Sequence, residues 1–138
     1  MINTITYSAN KVKITSLSKL NLIKDIAWID AYNPDQDELK QIYEKTGISI
    51  FELTKCTEKR TMPKLIHDIK YSTIIFAAPS DGITIPLGIF ISKRFILTIH
   101  SENTPSLEDI RNKILKNNKD LLKFNISSLA YTIMLEII

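Results

Sequence analysis

The chain has one cysteine, Cys56, and three glycines, at 47, 82 and 88. One cysteine forms no internal disulfide, so folding requires no oxidising compartment. Three scattered glycines exclude a Gly-rich phosphate loop and a dinucleotide fingerprint. Long apolar runs are missing too. The most apolar region, "STIIFAAPSDGITIPLGIFISKRFILTIH", is cut by Pro79, Asp81, Pro86, Lys93 and Arg94. Its pieces fall far below the roughly 18 apolar residues a membrane span requires. The start, "MINTITYSANKVKI", lacks the basic opening and apolar core of a signal peptide. No charge sign dominates: 18 Lys and Arg stand against 15 Asp and Glu, a net charge of +3. That balance favours solubility and slightly favours anions, but does not point to nucleic acid. What remains is a chain of 138 residues, 44% apolar, which is the size and composition of one globular domain.

Hydrophobic periodicity predicts both strands and helices. "INTITY" and "KVKIT" alternate and read as an opening strand pair, and "LSKLNLIK" as a short helix or loop. "IAWID" reads as a short strand ending in an acid. Asn33 then caps a helix, with Pro34 in its first position and Gln36 completing a capping box. Leu39, Ile42 and Tyr43 form its apolar stripe, and Gly47 ends it. Asp35, Asp37 and Glu38 match the helix dipole and are read as surface residues, not a metal cluster. A short helix over 49–56 carries Ile50, Phe51 and Leu53 inward, and "KLIHDI" reads as an edge strand. "YSTIIFAA" is a continuous apolar run and reads as a central strand covered on both faces. "PSDG" is a turn, and segments 83–92 and 94–100 flank Ser92 and Lys93 as a hairpin. A helix begins at Thr104-Pro105 and buries Leu107, Ile110, Ile114 and Leu115. "NNKD" breaks it, and a last helix carries Phe124, Ile126, Leu129, Ala130, Ile133 and Met134. The closing "IMLEII" has no terminating chemistry, so residues 1–138 are expected to be one domain, a fragment of a longer chain or an end packed on a partner.

Catalytic patterns are scarce. His67, His100 and Cys56 match no compact zinc spacing, and both histidines read as structural. No serine sits in a nucleophile elbow. Lys55 and Lys59 beside Cys56 would lower its thiol pKa, making it reactive without making it catalytic. Arg111, Lys113, Lys116, Lys119 and Lys123 fall mostly opposite the apolar stripe and read as a solvated face. The residues therefore describe an α/β binding, regulatory or assembly domain, and no enzyme.

The order of motifs carries more than any one of them. "WIDAYNP", a helix, "TGI", a second helix, "MPK", "YSTIIF", "ISKRFILTIH" and a proline-led helix follow one another. This order resembles the amino-terminal cytoplasmic domain of the CorA-type magnesium and cobalt transporters, over roughly residues 26–138. The resemblance implies a mixed sheet with helices on both faces, an α/β/α sandwich. It also implies a stalk helix and two membrane helices beyond this chain, pentameric assembly, and a domain that senses divalent cation, Mg2+ above all, at the cytoplasmic face of the membrane. In the family, Leu-Glu-Asp at the end of the second helix gives acids to a regulatory metal site between protomers. The matching residues here are Leu53, Thr54 and Lys55. A hard cation wants oxygen ligands, and an ammonium removes one and adds repulsion. A further family acid maps near Leu135, with Glu136 one residue on, and Met62 stands where an Arg is usual. Glu52, Glu58 and Glu136 are therefore only weak substitutes as ligands, no metal is assigned, and Thr54 and Lys55 are expected at a subunit interface or regulatory position. The alternative is a free-standing binding module with an anionic or nucleic-acid partner met by its Lys/Arg surface. Its binding would weaken steeply with salt.

Overall fold

The computed structural model describes residues 1–8, 11–58, 64–67, 71–80, 83–116 and 126–137. In chain order the strands are β1 (Ile2–Ser8), β2 (Lys11–Thr15), β3 (Ile26–Tyr32), β4 (Lys64–His67), β5 (Ser72–Ser80), β6 (Ile83–Ile91) and β7 (Phe95–His100). The helices are α1 (Gln36–Thr46), α2 (Ile50–Lys55), α3 (Pro105–Lys116) and α4 (Ile126–Ile137), with a 3-10 turn at Leu17–Lys19. The strands form one sheet ordered β2-β1-β3-β7-β6-β5-β4. Of its described pairings only β3 with β7 is parallel, which makes the sheet mixed.

Strand alternation sends successive side chains to opposite faces, and each face acquires its own helices. Trp28, Leu87, Ile89 and Ile96 pack under Leu107, Ile110 and Ile114 of α3 and Leu129 and Ile133 of α4. Ala27, Ile29, Phe90, Leu97 and Ile99 pack under Leu39 and Ile42 of α1, Ile48, and Leu53 and Cys56 of the α2 region. The result is an α/β/α sandwich, as the motifs implied. β7 lies at its centre and is buried at all six positions.

Several expectations need correction. The apolar run of β5 lies next to the edge strand β4, not at the centre. Among its described side chains Thr73 and Ile75 are buried while Ser72 and Ile74 are only half-buried, so one face is covered. The cap of α1 is Asp35, not Asn33. Its carboxylate accepts from the Glu38 amide at 2.8 Å, and Glu38 accepts in return from the Asp35 amide at 3.1 Å. Asn33 adopts φ 43° and donates its amide to the His100 carbonyl at 2.7 Å. Asparagine tolerates this left-handed turn better than most residues, and Pro34 follows it. Tyr43, Phe51 and Leu115 are exposed rather than inward. Phe51 follows from the short helix: with Leu53 turned to the sheet, a residue two positions earlier points away, since successive helical residues are about 100° apart.

The opening strand pair, the hairpin of β6 and β7 and the helix starting at Pro105 stand where the patterns placed them; the strand read over 26–30 runs on to Tyr32, and the edge strand read in "KLIHDI" is seen over 64–67, its last two residues lying outside the described ones. "LSK" is a 3-10 turn. Gly47, at φ 79°, ends α1 in the left-handed conformation that favours glycine. Asp81, Gly82, "NNKD" and Phe124 lie outside the described residues.

The six residues of α2 are far fewer than the roughly 12–15 an isolated helix needs. Burial of Leu53 and Cys56 against β6 and β7 holds it in place. The approach is close because position 88 on β6 has no side chain. A Cβ there would lie 2.5 Å from Cys56 Sγ and 2.6 Å from its Cβ.

Candidate functional site

Two regions bear on function: the exposed end of α2, and a pocket beside the parallel strand pair. At α2, Ser49 caps the first turn by accepting from the Glu52 amide. Thr54 and Lys55 are both exposed. The Thr54 hydroxyl donates to the Ile50 carbonyl at 2.8 Å. The Lys55 ammonium lies 4.5 Å from the centre of the Phe51 ring, an exposed cation–π contact of the kind worth about 0.5–1 kcal/mol.

The three acids offered as substitute ligands are not brought together. Glu52 Oε2 accepts a hydrogen bond from the Tyr71 hydroxyl. Glu58 is exposed just beyond α2. Glu136 lies on α4, against the opposite face of the sheet, and pairs with Lys113 at 3.7 Å. Among the described residues no group of three or more His, Cys, Asp or Glu is placed to hold a metal ion.

Cys56 differs from its expected chemistry. It is fully buried, with Sγ 3.4 Å from the Glu52 carbonyl. Burial, helped by the negative charge of Glu52, pushes its thiol up to about 12. The sequence places Lys55 beside it, but the helix turns that ammonium to the outside. The thiol is therefore expected to be inert in the folded chain and to react only after unfolding. Titration with a chromogenic disulfide at pH 8, with and without denaturant, measures this. Rapid stoichiometric reaction of the native chain would contradict the burial.

The second region joins two sequence motifs into one network. Asp30 of β3 stands opposite Thr98 of β7, and Tyr32 opposite His100. Trp28 Nε1 donates to Thr98 Oγ1 at 3.0 Å, and Thr98 Oγ1 donates to Asp30 Oδ1 at 2.6 Å. His100 Nε2 lies 2.9 Å from the same oxygen, and its Nδ1 lies 2.6 Å from the Glu102 carbonyl. A carbonyl only accepts, so Nδ1 carries a proton. A proton on Nε2 as well lets both nitrogens donate, and the pair is then imidazolium and carboxylate. Burial by itself would lower the His100 pKa. The hydrogen bond and charge of Asp30 and the Glu102 carbonyl outweigh it, Arg111 opposes them, and the net shift is upward. Asp30 and His100 are each only 3% exposed.

These residues floor a pocket of about 420 Å³ walled by Asn3 of β1, Tyr32, and Glu108, Arg111 and Asn112 of α3. Arg111, read from sequence as part of a solvated face, is half-buried here. The signal for the pocket was present in "WID" and "FILTIH". That the two strands are parallel neighbours, with Asp30 and His100 in reach, was not visible in either.

The comparisons with known proteins agree with this architecture. The family model of the CorA-like Mg2+ transporter protein matches residues 24–138. The cobalt/magnesium transport protein CorA of Methanocaldococcus jannaschii is 32% identical over 117 residues, which are 81% of this chain and 37% of that protein. The putative metal ion transporter YfjQ of Bacillus subtilis is 27% identical over 114 residues, 80% of this chain and 35% of that protein. The solved soluble domain of CorA from Methanocaldococcus jannaschii superposes with a TM-score of 0.84 at 27% identity, covering 99% of this chain and 55% of that one. The chain thus spans about a third of the length of these curated relatives. Among the described residues no helix is long and apolar enough to cross a membrane. With a family model over most of its length and a relative above 30% identity, the chain belongs to the CorA-like Mg2+ transporter family.

Proposed function

We propose that this chain is the cytoplasmic regulatory and assembly domain of a divalent-cation transporter for Mg2+ or Co2+, with the acids of the family's regulatory site exchanged for Thr54 and Lys55. The observation that carries the reading is the exposed ammonium of Lys55 at the end of α2. An unburied cation there repels a divalent ion where the family resemblance implies a carboxylate. The isolated domain is then a weak sensor, and its remaining work is assembly with further copies of itself and connection to a stalk and membrane helices. Exposed Phe51 on one layer, and Tyr131 and Leu135 on the other, support an assembly role.

The test is a thermal melt with added MgCl2. The wild-type midpoint is expected to stay constant to about 10 mM ion, since only a ligand that binds the native state raises it. The variant Thr54→Glu/Lys55→Asp is expected to gain several degrees: ten times Kd gives about 1.4 kcal/mol, and a chain this size shifts roughly 3–5 °C per kcal/mol. Light scattering on the same samples reads the mass, which is expected to exceed that of a monomer. A wild-type midpoint that already climbs with magnesium would sink the exchange of sensor residues.

A further inference from the structure

The pocket above Asp30 lies at a particular point of the topology. β3 and β7 are adjacent and parallel. β3 leads into α1 on one face of the sheet, and β7 leads into α3 on the other. In open α/β sheets, the crevice where chain direction divides in this way, beyond the carboxyl ends of the strands, is where ligands bind. The volume of about 420 Å³ falls in the range of roughly 300–1,000 Å³ usual for small-molecule sites.

The lining states what could bind. Asp30 Oδ1 takes both hydrogen bonds of the network, from Thr98 and His100. Its other oxygen, Oδ2, accepts none from any described residue. Thr4 Oγ1 is the only fully buried side-chain polar atom without a partner among the described residues, so Oδ2 must reach the open volume of the pocket. A carboxylate oxygen in so buried a residue demands a donor. On the wall, the half-buried Arg111 guanidinium makes no ion pair or hydrogen bond with a described residue, though it lines the same pocket as Glu108. The formal charges cancel: Asp30 against His100, Glu108 against Arg111, and the ammonium of Met1, which also lines the pocket, against Glu38 at 3.1 Å.

This balance selects among ligands. A bare divalent cation would meet the imidazolium and the guanidinium. A dianion such as phosphate would meet two carboxylates with only the Arg111 guanidinium of the pocket wall to bind it. A neutral dipolar molecule satisfies every group, its acid on Arg111, whose fork matches a carboxylate, and its ammonium on Asp30 Oδ2. We infer that the pocket binds a small zwitterion of α-amino-acid chemistry, a site independent of the α2 end and of the transport reading.

Backbone amide NMR titration of the intact chain tests it, with glycine, L-serine and L-glutamine as probes. At least one, at on the order of 10 mM, is expected to move the amide signals of Asp30, His100 and Arg111 saturably and to raise the melting midpoint, as native-state binding requires. Acetate and ethanolamine, which carry one pole each, are expected to do so at least tenfold more weakly. Arg111→Gln should abolish the response and Lys116→Gln, on the same helix but outside the pocket, should keep it. The proposal is overturned if none of the three probes moves these signals, if acetate or MgCl2 moves them as well as the amino acids do, or if Arg111→Gln still responds.

Discussion

Asp30→Ala is expected to lower the melting midpoint of this domain by ten degrees or more, the largest effect of any single side chain in the network. Asp30 accepts from the Thr98 hydroxyl and pairs with His100, and both acid and base are nearly inaccessible to solvent. Removing one partner of a buried ion pair costs about 3–5 kcal/mol, because the other charge stays buried without compensation. At roughly 3–5 °C per kcal/mol the loss is easily measured. Asp30→Asn keeps an acceptor and should lose less. The chain has one tryptophan, and its indole N–H enters the same network through Thr98. Its emission is therefore expected to shift to the red in Asp30→Ala even below the midpoint. An alanine variant melting within two or three degrees of wild type would show that the pair is not structural.

The same pair sets a pH dependence. The folded pKa of His100 is raised, above about 6.5 for an unperturbed histidine. A group raised in the folded state binds its proton more tightly there. Its stabilisation is complete below pH 6.5 and is lost as pH rises through the folded value. The groups facing His100 are Asp30, the Glu102 carbonyl and Arg111, with the Tyr32 ring 5.4 Å away. None of them reverses the sign. Wild-type stability is expected to fall as pH rises above about 6.5, and His100→Gln should flatten that slope. Cys56 adds a decline of the same sign only at higher pH, as the unfolded thiol ionises near 9.0 while the folded one does not.

Gly88→Ala is expected to be the next most damaging change. The added methyl would meet Cys56 Sγ and Cβ at 2.5 and 2.6 Å and Ile99 Cγ2 at 3.0 Å. Cys56 follows directly on α2 and is packed without space, so α2 must shift as a unit. Overpacking of this kind costs about 1–3 kcal/mol, or roughly 3–15 °C here. The cause is a specific contact, so Cys56→Gly should recover part of the loss. The double variant is expected to be more stable than the sum of the two single changes, a coupling read by urea melts of all four proteins. Additive losses would place the strain of Gly88→Ala elsewhere, on β6 itself.

Local chemistry made much of this fold legible. The alternation of 2–7 and 11–15, the Pro105 helix start and the Gly47 helix end each rest on a few neighbouring residues, and each is where the pattern placed it. The helix cap lies two residues beyond the position the sequence suggests, because Asn33 and Asp35 are both good capping residues. The choice went to Asp35 when Asn33 was drawn into a left-handed turn by its bond to His100. β5 lies beside the edge strand instead of at the centre, because a continuous apolar run reports burial, not order in a sheet, and order is set by pairings between segments far apart in the chain.

The sequence by itself determined the apolar faces, the element types and, through the order of its motifs, the family. Only the tertiary structure decided what the polar residues do. Neighbouring lysines in the chain imply a reactive Cys56, but the described one, Lys55, is turned outward over Phe51, and burial against Gly88 pushes the thiol pKa up. Asp30 and His100 are 70 residues apart, and nothing local links them. Parallel pairing of β3 and β7 puts both on one face, at the ends of adjacent strands, where their charges hold each other and open on one pocket. Periodicity reports which side of an element is apolar. The meeting of two charges depends on register between strands, which is a property of the folded sheet.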